Sequence, residues 1–515
     1  MTQNQGVEAA WAYHAGTKHS YQSVRRSGHS LDFSNQPLPF KIYTTLPPIP
    51  LPRDESPLPM PALGAIAAPV ASGTGSRLPD VAELARILLL SAGITKERRG
   101  PGWTVQYRAA ACTGALYHIE LYLVCGDLPG LPAGVYHFGA HDFALRRLRT
   151  GDYRAPLVRA TGREPAVAAA PSVIVCTSTF WRNAWKYQAR AYRHAFWDSG
   201  TILANLLAAA AAQELPARVV LGFADATVND LLGVNPDREA SLALIPLGWG
   251  AEVAGEAASA MEPLHLETEP LSRFEVDYPA IRAMHTASSL GSEEEAAAWR
   301  GAGPSGDSLA PINRTIPLKP LAGDEIPRDS VTEVIMRRGS TRTFAHQPIT
   351  FGQLSTILDR ATQGVPADFL EPFGASLNTL YLIVQAVDDL APGAYVYHRR
   401  ERVLELIREG GFRRQAGHLG LEQELPADAS VNVYCLARLE PILARFGNRG
   451  YRAAQLEGGI LGGKVYLAAY ALRLGATGLT FYDDDVTEFF SPHAAGTGVM
   501  FLAAIGHSPR RAHRS

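Results

Sequence analysis

Short apolar runs and helix-period segments alternate along this chain, and the same succession comes round twice. Leu84, Ile87, Leu88 and Leu90 recur at helical spacing and predict a helix that opens the first folded stretch. Non-alternating apolar runs at Glu120–Cys125 and Ser172–Thr177 predict buried strands, and the Ala/Leu-rich segment from about Thr201 to Leu215 predicts a long helix. In the second half, Ser330-x-x-Glu333 has the form of a capping box and starts a short helix ending near Arg338 at Gly339. Strands follow at Leu380–Val387 and Val431–Leu436, then a helix around Gly459–Leu474 and a last strand at Val499–Ile505. Helices mixed with non-alternating strands predict an α+β fold.

The two halves share a register. Subtracting 259 places Tyr381 on Tyr122, Gly393 on Gly134, Tyr395 on Tyr136, Arg449 on Arg190, Tyr451-Arg452 on Tyr192-Arg193 and Gly459 on Gly200. With a one-residue slip, Val486 falls on Val228 and Gly506 on Gly248. Such a register predicts two tandem copies of one domain, packed as an intramolecular pseudo-dimer. The expected divisions are an extended, Pro-rich arm at 1–77, copy one at 78–250, a linker with one short helix at 251–328, and copy two at 329–515. Within the arm, Leu46–Pro52 is too proline-rich for helix or sheet and is expected to lie over a surface. Gly458, Gly459, Gly462 and Gly463 permit close helix approach, either between the copies or inside one of them.

Composition narrows the classes. The chain has 515 residues, 46% of them hydrophobic and 19% charged, enough for ordinary buried cores and too little charge for disorder. A net charge of -2 argues against a general nucleic-acid or anionic-membrane binder. The four cysteines have no CxxC spacing and read as reduced thiols; with no signal or membrane-length apolar run, a cytoplasmic protein is expected. Gly301-x-Gly303-x-x-Gly306 spells the dinucleotide fingerprint, but it follows a Glu/Ala-rich helix and contains Pro304. The histidines show no metal-ligand spacing, so no metal is expected.

The two copies differ where chemistry would sit. Arg337, Arg338, Ser340 and Arg342 gather three guanidiniums and a hydroxyl at a helix-to-loop junction, which suits a phosphate and equally a solvated helix end. An offset of 270 places these four on Ala67, Ala68, Val70 and Ser72, so copy one has no such cluster. The pair Lys186-Tyr187 exists only in copy one, where copy two has Arg445-Phe446; it suits a general base, or a surface lysine beside a packed tyrosine. Ala111-Cys112-Thr113-Gly114 would let a flat ring approach the backbone.

At these residues the chain resembles the FMN-dependent nitroreductase fold, and within it the SagB-type dehydrogenases that oxidise peptide azolines. Arg337-Arg338-x-Ser340-x-Arg342 resembles the family motif that holds the FMN phosphate and ribityl chain. Ala111-Cys112-Thr113-Gly114 resembles its Pro-Ser-x-Gly loop, which reaches the flavin from the partner subunit, although Pro-Ser is Ala-Cys here. Gly478, Leu479 and Thr480 resemble the loop beside the flavin ring, and Lys186-Tyr187 resembles the pair used as base. The segment Tyr13-His14-x-x-Thr17-Lys18-His19 is similar to the arm of tandem SagB-like proteins. Arg510 and Arg511 are further candidates on the phosphate side.

The resemblance implies one FMN site, built from the arginines of copy two and from the small-residue loop and Lys186-Tyr187 of copy one. It implies oxidation of a thiazoline or oxazoline in a peptide or peptide-like substrate to the aromatic azole, with flavin as hydride acceptor and other enzymes of a peptide-modifying complex as possible partners. Two other readings compete: an NAD(P)H-dependent nitro- or quinone reductase, and a flavin-free scaffold subunit.

Overall fold

In the computed structural model, which describes residues 3–68, 76–101, 103–250, 261–306 and 310–509, the two copies share one architecture. Copy one is built on a six-stranded sheet in the order Pro48–Pro50, Ala144–Thr150, Gly134–Gly139, Ile119–Cys125, Ser172–Thr179, Glu239–Leu247, each neighbour antiparallel. Copy two has seven strands in the order Gly475–Leu479, Gly498–Gly506, Val431–Ala437, Asn378–Val384, Gly393–His398, Val403–Glu409, Thr315–Pro317. Adding 259 to Ile119–Cys125, Gly134–Gly139 and Ala144–Thr150 gives the matching copy-two strands residue for residue. The bulges after Val135 and Cys176 recur after Ala394 and Cys435. The α+β fold and the tandem duplication are therefore present as expected.

Two helices, Ala191–Ala212 and Arg449–Ala471, run between the sheets and are buried almost throughout. A helix with no polar face belongs in an interior. They cross at equivalent residues: a Cβ on Gly200 would lie 2.5 Å from the carbonyl carbon of Gly459, and one on Gly459 would lie 2.7 Å from the carbonyl oxygen of Trp197. The glycine stripe divides its work. Gly459 and Gly463 face copy one, whereas Gly458 and Gly462 pack on Met500 and Phe501 of their own sheet.

Around this crossing the copies exchange buried ion pairs. Asp483 of copy two receives Arg190 at 2.9 Å and Arg193 at 2.5 Å from copy one. Asp225 of copy one receives Arg449 at 2.6 Å and Arg452 at 2.7 Å from copy two. Burial alone would raise the Asp225 carboxyl, but Arg449 and Arg452 outweigh it and bring the pKa down to about 2.

The segments expected to be an extended arm and a linker differ from that expectation. The arm forms helices Glu8–Gly16, Tyr21–Arg26 and Ala62–Ala67, and the 261–328 region forms helices Pro279–Ala287 and Glu293–Trp299. They repeat one another. Arg193 donates to the carbonyl of His14 and the hydroxyl of Thr17, as Arg452 donates to the carbonyl of His285 and the hydroxyl of Ser288. The amide of His19 then binds Asp483, as the amide of Leu290 binds Asp225. Each copy thus carries its own N-terminal arm. Pro48–Pro50 does enter a sheet: a strand at the edge tolerates the missing proline N–H groups. The strand predicted over Leu380–Val387 ends at Val384, and the two long helices begin about ten residues earlier than their apolar periodicity suggests, because they start at the buried arginines.

Gly459→Val should destabilise the protein by about 3 kcal/mol, because the clash is with backbone that cannot swing away. Gly64→Ala, whose Cβ meets only Met60 at 3.8 Å, should be neutral or stabilise by up to about 1 kcal/mol. Denaturant midpoints check both, and equal effects would contradict the assigned crossing. Acid sensitivity provides a second check. Burial and the neighbouring Arg452 hold His285 at a pKa of about 3, and burial and Arg193 hold His14 at about 2, both below the ordinary 6.5. The unfolded chain therefore binds more protons below pH 6.5, so stability present above that pH should fall steadily on acidification. Melting temperatures from pH 7 down toward about 3, the window between the free and buried values of His285, should drop less in His285→Gln than in the natural protein.

Candidate functional site

A cavity of about 420 Å³ opens where the copies meet. Ala111, Cys112, Thr113, Gly114, Lys186 and Tyr187 line it from copy one, and Ser340, Arg342, Gly478, Leu479 and Thr480 from copy two. Eleven of the thirteen residues singled out in the sequence therefore share one space. A larger cavity of about 670 Å³ between Trp181, Arg238 and Tyr278 contains none of them.

Each wall has a local cause. The helix Phe180–Tyr187 ends because Gln188 takes φ 50°, and Gly447 takes φ 63° at the matching place in copy two. That exit leaves Lys186 and Tyr187 at the cavity, the ammonium 5.3 Å from the Tyr187 ring centre. Gly114 has φ 65°, and a Cβ there would lie 2.8 Å from the Tyr187 hydroxyl, so glycine is needed twice over. The loop before it is tied to Asp198, which accepts from the Thr113 amide and hydroxyl, the Cys112 thiol and the His118 ring, all at 2.8–3.0 Å. His118 also meets Ser178 at 2.9 Å. Burial, then the Asp198 charge, pushes the Cys112 thiol well up, so it stays protonated and donates rather than acting as a nucleophile. Burial first, then Asp198 and Cys112, likewise raises the Tyr187 hydroxyl.

The arginine cluster divides. Arg342 and Ser340 reach the cavity. Arg338 is buried and donates to the carbonyls of Ala109 at 2.7 Å and Arg108 at 3.2 Å, bracing the copy-one loop from copy two. Arg337 turns instead to Asp329 at 2.7 Å and the Tyr470 carbonyl at 2.8 Å. Arg510 and Arg511 lie outside the described residues, as do Val70 and Ser72, with which two cluster positions were compared.

Sequence reasoning passed over Asp198, Trp197, Tyr466, Gln423 and Lys96. The first four line the cavity; Lys96, from the hairpin Ile94–Gly100 and Trp103–Arg108, binds the Arg337 carbonyl at 2.9 Å. Asp198 had a signal: 259 residues on stands Glu457, an acid buried in the matching helix that binds the amides of Leu377 and Asn378. The Gly301–Gly306 fingerprint follows the helix Glu293–Trp299, and Gly303 packs on Phe446, so it builds no phosphate loop.

The matching place on the other side of the pseudo-dyad is filled by the chain itself. Val219, Val220 and Leu221 correspond to Gly478, Leu479 and Thr480, since Val220 pairs with Leu244 as Leu479 pairs with Leu502. Against them lies the copy-two segment Pro366–Asp368. Val219 pairs with Ala367, and the Asp368 carboxylate takes the amides of Leu221 at 2.9 Å and Gly222 at 2.8 Å. In copy one the corresponding stretch forms the hairpin and leaves the first cavity open.

The sequence pattern of the nitroreductase family matches residues 108–249 and 335–506. The chain belongs to the nitroreductase family. A crystal structure of a candidate nitroreductase from Anabaena variabilis is similar along nearly the whole length: 26% identity, a TM-score of 0.77, and coverage of 98% of this chain and 99% of that one. A candidate nitroreductase of Methanocaldococcus jannaschii is 25% identical over 166 residues, 32% of this chain and 79% of that protein. A chain of the E. coli microcin synthetase McbBCD complex is 17% identical with a TM-score of 0.30, covering 48% of this chain and 94% of that one. Membership makes the chain a nitroreductase-family oxidoreductase. No helix among the described residues is long and apolar enough to cross a membrane.

Replacing Asp198 with Asn should leave the fold intact and loosen the loop, since an amide cannot accept all four donors. Hydrogen exchange at Thr113–Ala115 should speed up, with exchange in the central helices unchanged; unaltered exchange at the loop would contradict the assignment.

Proposed function

We propose that this chain is an FMN-dependent dehydrogenase that oxidises azoline rings in a peptide or peptide-like substrate to the aromatic azole, with one flavin per chain. The observation that carries this reading is the composite cavity: Lys186-Tyr187 from copy one and Arg342, Ser340 and Gly478–Thr480 from copy two share it, while the matching place is occupied by Pro366–Asp368.

The donor set fits the cofactor. Arg342 and Ser340 supply a charged and a neutral donor for the phosphate and ribityl end. The Thr480 hydroxyl is buried without a partner and is available to a polar atom of the ring. Gly114 and Gly478 present backbone rather than side chains to the cavity. When bound, FMN supplies a two-electron acceptor for hydride. The chain's own part is to place the substrate and move a proton. Tyr187, kept protonated by burial, donates a hydrogen bond, and Lys186 beside it, entering the step as the uncharged amine, takes the proton from the ring carbon alpha to the carbonyl. Trp197 and Phe501, whose rings meet edge-on, wall the cavity against water.

Released flavin should amount to one FMN per chain, and Arg342→Ala should lower occupancy far more than Arg337→Ala, which loses a contact to Asp329 instead. Lys186→Met/Tyr187→Phe should keep the flavin and lose oxidation of a thiazoline-containing peptide by about 10²–10⁴-fold. Two flavins per chain, or normal turnover in the double variant, would overturn this reading. Rapid bleaching by NAD(P)H without azoline oxidation would make the protein a nitro- or quinone reductase. A protein that takes up no FMN would be a scaffold.

A further inference from the structure

Three possible metal ligands converge in copy two, away from the cavity described above. His398 ends the strand Gly393–His398, Glu405 lies on the neighbouring strand Val403–Glu409, and His493 follows the helix Asp483–Phe490. Their ligand atoms lie within 4.8 Å of one another. None of the three lines the 420 Å³ cavity.

The carboxylate is held in a fixed pose. Glu405 is fully buried, and its Oε1 accepts from the amides of Ile312 at 3.2 Å and Asn313 at 2.9 Å and from the Asn313 side chain at 2.6 Å. That leaves Oε2 turned toward His398 Nε2 at 2.7 Å and His493 Nε2 at 3.8 Å. The first separation is a hydrogen bond; the second is too long for one. His493 is oriented from its other side, Nδ1 lying 2.9 Å from the Tyr381 hydroxyl. A small cavity of about 20 Å³, room for about one water, opens between His398, His493, Tyr381 and Thr379.

A simple histidine–glutamate hydrogen bond explains one imidazole but not the second. Copy one lacks all three residues. The positions of His398, Glu405 and His493 correspond to Gly139, Arg146 and Asn235, so the set is complete in one copy and absent from the other. We propose that His398, Glu405 and His493 bind one divalent transition-metal ion of the Zn(II) type, with water in the fourth position. Nitrogen and carboxylate donors at about 2.0–2.2 Å suit that ion, and a tetrahedral site spaces its donors about 3.4 Å apart, between the two separations seen. Binding requires His398 to carry its proton on Nδ1 so that Nε2 offers a lone pair. Tyr381 and the three donors on Glu405 then form the outer shell that orients the ligands. The ion would fasten residues 312–313 and the loop bearing His493 to the sheet.

The full-length protein, stripped with a chelator and desalted after addition of Zn(II), should retain one zinc per chain by elemental analysis. Co(II) in its place should give the visible bands of a tetrahedral site. His398→Ala/His493→Ala and, separately, the near-isosteric Glu405→Gln should lose the metal, and Tyr381→Phe should weaken binding by about tenfold. Should the double variant fail to fold, Glu405→Gln and Tyr381→Phe carry the test. No zinc above the level of Glu405→Gln would overturn the proposal. So would zinc that persists in these variants and disappears in Cys112→Ser, which would place it at Cys112, His118 and Asp198 instead.

Discussion

Everything distinctive about this chain depends on two buried helices crossing at Gly200 and Gly459. Equivalent glycines can meet only on a pseudo-twofold axis, and their missing side chains let backbone touch backbone. Such an approach is unforgiving, and the surrounding charges make it more so. Asp225 and Asp483 each sit between two buried arginines of the opposite copy, and each arginine pair is also bound to carbonyls of an N-terminal arm. A buried aspartate between two guanidiniums is a specification of register more than a source of stability, since its desolvation offsets much of the attraction. The arms close over these clusters, so copies, arms and ion pairs form one interlocked unit rather than two domains on a tether.

Duplication around such an axis offers two equivalent sites, and the chain has made them different. The stretch between the helix Val81–Ala92 of copy one, or Phe351–Ala361 of copy two, and the central strand that follows has taken opposite paths. In copy one it became a hairpin that stands away from the cavity and brings Lys96 to the carbonyl of Arg337. In copy two it lies down across Val219–Gly222, and Asp368 caps two amides there. Burial raises the Asp368 carboxyl to a pKa of about 6, and the amides of Leu221 and Gly222 offset part of that desolvation. On that side the sequence has Ala67 and Ala68 in place of Arg337 and Arg338, and Arg445-Phe446 in place of Lys186-Tyr187.

Much of this was legible in the sequence because the repeat could be read as a difference. Lys186-Tyr187 against Arg445-Phe446, and the arginine cluster against Ala67, Ala68, Val70 and Ser72, pointed to one composite site, and four of the six residues so marked line a single cavity. What escaped has physical reasons. The two arms share few residue types, because what they conserve is backbone carbonyls and amides offered to arginines; His14 and His285 are among the few side chains in common. Arg337 looked equivalent to Arg342 in a short basic run, but Arg337 ends a helix and points back to Asp329, whereas Arg342 follows the turn. Asp198 was hidden because it precedes Thr201, where the Ala/Leu periodicity begins; only folding brings four donors to it.

Both copies hold the small-residue loop of the cavity. Arg338 reaches from copy two to the carbonyls of Ala109 and Arg108, and Asp198 holds the loop from the opposite side, so residues 111–114 are fixed by both copies at once. The loop has little freedom of its own: Gly114 is confined by the Tyr187 hydroxyl, and the Cys112 thiol is spent on Asp198. A small-residue loop held this way presents backbone rather than side chains to whatever occupies the cavity. Selectivity for the occupant must then come from the other walls, Lys186 and Tyr187 on one side and Arg342 and Thr480 on the other, which derive from different copies. A cavity divided in this manner exists only while the copies are joined, and the glycine crossing is what joins them.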